Sequence, residues 1–199
     1  MASSMFDEKS SACKKVLLSL ALATAGAAWS FDAEYTAAQS VTISASGSYL
    51  VTGTGGGAIT IAANVTGAEL TISNVTWTGN ATKIDIKDGA ALALILEGTS
   101  SITHTGNSGG PGIKVPQTSS LTVSGTGELD MVTYNMPCIG VGHTVTMGTL
   151  TMNGGTIVAH AGKPNSSGGG LSAAIGGGYG NPNLGGNGGT VVVNGGRFS

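Results

Sequence analysis

From about residue 40 the chain alternates aliphatic and polar residues in short runs, and the alternation restarts after each glycine-rich break. Ile84-Asp85-Ile86, Leu92-Ala93-Leu94-Ile95-Leu96, Leu121-Thr122-Val123, Leu129-Asp130-Met131, Leu150-Thr151-Met152 and Val191-Val192-Val193 carry the pattern. Successive side chains of a strand point to opposite faces, so each run predicts a short strand with one buried face. Gly, Asn, Ser and Thr fill the intervals, and these residues favour sharp corners. No amphipathic helix is expected beyond residue 40.

Three strand types recur in order. The first is Ala58-Ile59-Thr60-Ile61, Lys83-Ile84-Asp85-Ile86, Gly112-Ile113-Lys114-Val115, Cys138-Ile139-Gly140-Val141 and Ala174-Ile175-Gly176. The second is Glu69-Leu70-Thr71-Ile72, Ser120-Leu121-Thr122-Val123, Thr149-Leu150-Thr151-Met152 and Thr190-Val191-Val192-Val193. The third is Ser101-Ile102-Thr103, Glu128-Leu129-Asp130-Met131 and Thr156-Ile157-Val158. A triplet returning every roughly 22–40 residues predicts an all-β chain wound as a right-handed parallel β-helix, with three short strands per coil. Asn153-Gly154 and Asn194-Gly195 are also hairpin signals, so the rival is an antiparallel sandwich. The stretch Gly162 to Gly189 reads as a projecting loop.

Residues 1–30 read as a secretory signal. Lys9, Lys14 and Lys15 precede the apolar run Val16 to Ala23, and small residues follow it. The β-helix domain then covers residues 31–199, as part of a longer repeat protein. The pattern stops at Phe198-Ser199, where another strand is expected, so the solenoid reads as truncated at its C-terminus. An open end of this kind exposes strand edges and predicts self-association. Cleavage removes Cys13 and leaves Cys138 without a disulfide partner. No membrane span is expected in the mature chain.

The runs Leu96-Glu97-Gly98-Thr99-Ser100-Ser101-Ile102, Gly112-Ile113-Lys114-Val115-Pro116 and Leu121 to Leu129 resemble bacterial secreted carbohydrate-binding domain-containing proteins. Ala174 to Gly180, followed by Gly188-Gly189-Thr190-Val191-Val192-Val193-Asn194-Gly195-Gly196, is similar to glycine-rich repeats of adhesin-like cell-surface proteins. The likeness spans about residues 40–199. It implies a secreted or cell-surface β-helix scaffold that binds carbohydrate or a cell-surface glycan. It implies no catalytic residues.

Composition narrows the chemistry. The 199 residues include 35 Gly, only 9% are charged, and the net charge is −2. That charge leaves no footprint for nucleic acid. An enzyme on such a scaffold needs converging carboxylates and a cation, as in polysaccharide lyases or glycoside hydrolases. Here the charges are sparse and Arg197 is the sole arginine, so a non-enzymatic function is expected and a polysaccharide-acting enzyme fragment is the alternative. Trp77 and Tyr134 are candidate aromatic platforms for a sugar, as is Tyr179 in the glycine-rich stretch, although Trp77 can instead face inward with Val75. Glu128 and Asp130 project from one strand face about 7 Å apart, next to Thr103 of the previous coil. They are candidate ligands for a sugar or for Ca²⁺. No other cofactor is expected. His104, His143 and His160 lack metal-ligand spacing and are expected to be structural or exposed. Cys138 is expected to fill the core. Lys114 is expected one coil above Asp85, as a surface ion pair.

Overall fold

The computed structural model describes residues 30–106, 109–162, 172–178 and 185–199. The expected signal segment, apart from Ser30, lies outside these residues, as does Tyr179. Seventeen strands are described. They begin with β1 (Ala33–Thr36), β2 (Val41–Ile43), β3 (Gly47–Gly55), β4 (Ile59–Ile61), β5 (Ala68–Thr78) and β6 (Ile84–Ile86). Next come β7 (Ala91–Glu97), β8 (Thr99–Thr103), β9 (Ile113–Lys114), β10 (Ser120–Gly125), β11 (Glu128–Val132) and β12 (Ile139–Val141). The remainder are β13 (Thr149–Met152), β14 (Thr156–His160), β15 (Ile175–Gly177), β16 (Thr190–Val193) and β17 (Arg197–Phe198). No described helix is long and apolar enough to cross a membrane.

The strands fall into three parallel ladders. The first is the six-stranded sheet β2-β4-β6-β9-β12-β15. The second runs β1-β3-β5-β7-β10-β13-β16, and the third β5-β8-β11-β14-β17. The last two share the long β5 and so form one strongly curled sheet of eleven strands. Every pairing between named strands is parallel, and partners lie from 16 residues apart (Ala33 with Tyr49) to 41 apart (Thr149 with Thr190). A parallel pair needs a crossover of a dozen or more residues. Here the crossover carries strands of the other ladders, one strand in the pairings up to that of β5 with β7 and two from that of β5 with β8 onward. The hairpin reading of Asn153-Gly154 therefore fails: the turn joins β13 to β14, which belong to different ladders. The Gly162 to Gly189 stretch is not all loop either, because β15 lies within it and pairs with β12.

Register stacks like on like. Ile59, Ile84, Ile113 and Ile139 follow one another in the first ladder. Tyr49, Leu70, Leu94, Val123 and Met152 do so in the second. Trp77, Ile102 and Met131 do so in the third. These side chains are buried and belong to one continuous core. Each fully buried aliphatic side chain contributes roughly 1.5–3 kcal/mol, so the stack is the main source of cohesion.

Corners depend on particular backbone geometry. Gly98, between β7 and β8, has φ +60°, and a Cβ there would meet Asn74 Oδ1 at 2.3 Å. That oxygen is already engaged, accepting the Thr99 N–H at 3.2 Å. Asn80 repeats the device at the next corner, where its Oδ1 accepts the Thr105 N–H at 2.9 Å.

Candidate functional site

The outward face of the third ladder gathers the polar side chains singled out from the sequence. Alternation turns Leu129 and Met131 into the core, so Glu128, Asp130 and Val132 point out. Parallel register then sets rows across the sheet. Thr76, Ser101, Asp130 and Val158 form one row. Thr99, Glu128, Thr156 and Arg197 form a second. Thr78, Thr103, Val132 and His160 form a third. Members of a row sit about 4.8 Å apart. The surface is a grid in which six hydroxyls stand with two carboxylates, two valines, His160 and Arg197.

Register corrects the expected neighbour of these carboxylates. Thr103 lies opposite Val132, whereas Thr99 lies opposite Glu128 and Ser101 opposite Asp130. His160 does not stand alone, because its Nε2 lies 3.8 Å from Asp130 Oδ1. That oxygen is buried and has no hydrogen-bond partner, so it is left to a weak electrostatic contact with the imidazole. Tyr134 follows β11 in a loop and is half-buried.

Trp77 is not a surface platform. It is 0% exposed and pairs with Ile102 on the inner face. Val75 and Trp77 share parity on β5, and Thr76 and Thr78 take the outward positions. The indole Nε1 finds no hydrogen-bond partner inside.

A buried cationic corner escaped the sequence reading. Lys83 is 1% exposed, and its Nζ donates to the Gly56 carbonyl at 3.0 Å. Loss of hydration on burial lowers its pKa. His104 is also buried, and its Nε2 is unpartnered. Burial, and then the Lys83 charge, hold the imidazole below its ordinary pKa. The sequence signal was available: Lys83 takes the place held by Ala58, Gly112, Cys138 and Ala174 before the first-ladder isoleucines.

Cys138 does fill the core. Its Sγ is 3.4 Å from Thr133 Oγ1 and donates to the Met131 carbonyl at 3.6 Å. Burial pushes the thiol pKa up, which opposes nucleophilic use. On the first ladder Lys114 Nζ lies 3.6 Å from Asp85 Oδ1, and Lys87 also pairs with Asp85. This is the expected ion-pair ladder. Among the described residues no three His, Cys, Asp or Glu side chains gather as a metal-holding group.

Comparison with family models, with curated proteins and with solved structures finds no match.

Proposed function

We propose that the chain winds as a right-handed parallel β-helix of three strands per coil and serves as a secreted or cell-surface, non-enzymatic scaffold that binds carbohydrate. The reading rests on the outward grid of the third ladder, where Thr76, Ser101 and Asp130 run beside Thr99, Glu128 and Thr156 in register. Sugars are recognised by hydroxyl and carboxylate groups held on a rigid surface. Many weak contacts repeated along such a face gain avidity without a deep pocket. The secretory reading is supported by Lys9, Lys14 and Lys15 ahead of the apolar run Val16 to Ala23.

The geometry favours binding over bond cleavage. Glycoside hydrolases place two carboxyl groups on either side of the scissile bond. Glu128 and Asp130 project side by side from one strand, so both approach a ligand from the same face.

A glycan array on the full chain, run beside a lyase assay on uronate polymers, tests the reading. Binding that falls at least fivefold in Asp130→Asn or Glu128→Gln, without turnover, supports it. Repeating the array with and without Ca²⁺ tests whether the two carboxylates recruit that ion. Turnover of a polysaccharide, or no glycan bound, would overturn the reading.

A further inference from the structure

The second ladder carries a separate surface feature. Alternation points Ala91, Ala93 and Ile95 outward from β7. In register, Ala93 lies between Glu69 of β5 and Thr122 of β10. Ala91 lies beside Ser120, near the corner at Gly67. At Ala93 the middle strand thus presents a bare methyl group between two longer polar side chains, while Ala91 lies between Ser120 and the bare backbone of Gly67, and Ile95 follows along the strand. The result is a trough of about 190 Å³ lined by Gly67, Glu69, Ala91, Ala93, Ser120 and Thr122. Its walls stand two strand spacings apart, about 9.6 Å, and the two alanines are about 6.6 Å apart along the strand.

Four properties select an occupant. The volume is below the ~300 Å³ at which pockets for drug-sized ligands begin, so the trough takes one ring. Its floor is apolar and its walls are polar, matching a pyranose with its C–H face down and its hydroxyls at the sides. The strands beneath it are paired on both edges, so an extended peptide finds no free backbone to pair with. The only charge in the lining is the exposed carboxylate of Glu69, which repels an acidic sugar.

We infer that this trough is a subsite for one neutral sugar ring, with Glu69 accepting from adjacent sugar hydroxyls, Ser120 and Thr122 hydrogen-bonding the opposite edge, and Ala91 and Ala93 beneath the ring. The inference rests on the carbohydrate reading above but lies on a different ladder from Glu128 and Asp130.

Saturation-transfer NMR on the full chain with neutral hexose oligosaccharides and with oligogalacturonates tests it. Neutral sugars should bind at least tenfold more tightly than uronates. Ala93→Leu fills the trough from outside the core and should abolish the trough signal. Glu69→Gln changes only an exposed group and should weaken binding at least fivefold, which keeps the test decisive should the leucine disturb the strand. Asp130→Asn should leave the trough signal unchanged. Neutral-sugar binding that survives both trough variants but falls in Asp130→Asn overturns this subsite and leaves the broader reading standing. No glycan binding by the unmodified chain overturns both. A preference for uronates overturns the trough assignment alone.

Discussion

Replacing Leu94 by alanine tests whether the aliphatic stack holds the molecule together. Leu94 is 0% exposed and sits in register between Leu70 and Val123, themselves fully buried. Both neighbours are fixed by ladder hydrogen bonds, so the cavity cannot close by a shift of one strand alone. The cost should lie in the upper part of the range for buried leucines, about 3–5 kcal/mol. Ile95, the next residue, points outward, and Ile95→Thr should cost less than about 1 kcal/mol. Urea unfolding followed by far-UV circular dichroism measures both. With a slope of about 2 kcal/mol/M, Leu94→Ala should lower the midpoint by about 1.5–2.5 M and Ile95→Thr by less than about 0.5 M. Within a ladder each strand contacts mainly the strands on either side of it, so hydrogen exchange in Leu94→Ala should rise first around β5, β7 and β10. Equal losses from the two variants, or a Leu94→Ala cost under about 1 kcal/mol, would refute the inward stacking of this strand.

Other outcomes follow from the buried polar groups. Because the folded state holds the His104 pKa low, the unfolded chain binds that proton more readily. Stability should be fully present above about pH 6.5 and fall as the pH drops through the lowered folded value. A series of urea midpoints from pH 8 to pH 5 should slope downward, and His104→Gln should flatten that slope. Trp77 should emit at short wavelength and resist acrylamide in a Trp29→Phe background, with glycan leaving its emission unchanged; a red-shifted, easily quenched signal would contradict its burial. Trp77→Phe should cost little beyond lost packing, because it also removes an unpaired N–H whose burial is worth about 1–3 kcal/mol; unfolding curves measure the balance. In a Cys13→Ser background Cys138 should resist thiol reagents until urea unfolds the chain, and rapid labelling of that native variant would place it elsewhere than the core.

The ladders were legible because two periods coincide in the sequence. A period of two sets which side chains turn inward, and the recurring triplet sets which strands become neighbours. Together they place Lys114 over Asp85, and the structure has that pair at 3.6 Å. The same rule was sufficient to bury Trp77, which shares parity with Val75, but the chemistry of an indole argued for the surface. Parity is the stronger constraint, since exposing Trp77 would have turned Val75 outward with it. Lys83 was harder to see. A lysine beside isoleucines reads as a solvated end, yet its stem can lie along apolar surface while the ammonium reaches a corner carbonyl.

Sites on such a surface depend on register to a degree that motifs do not capture. Asp130 and His160 are thirty residues apart and on different strands; only the pairing of Asp130 with Val158 brings the imidazole into reach. A slip of two residues would keep every aliphatic side chain inside and still replace each outward neighbour, as the misplacement of Thr103 illustrates. The trough is less visible still, because its floor consists of volume that Ala91 and Ala93 leave empty. An alanine in a strand reads as a weak core residue, and Glu69 and Thr122 hold different positions in the recurring strand type, Glu69 before its first aliphatic residue and Thr122 after it. Their convergence requires three strands to stack with Ala93 in the centre. The proposed subsite therefore depends on the contrast between neighbouring strands, and substitutions that leave each strand's own pattern intact can still erase it.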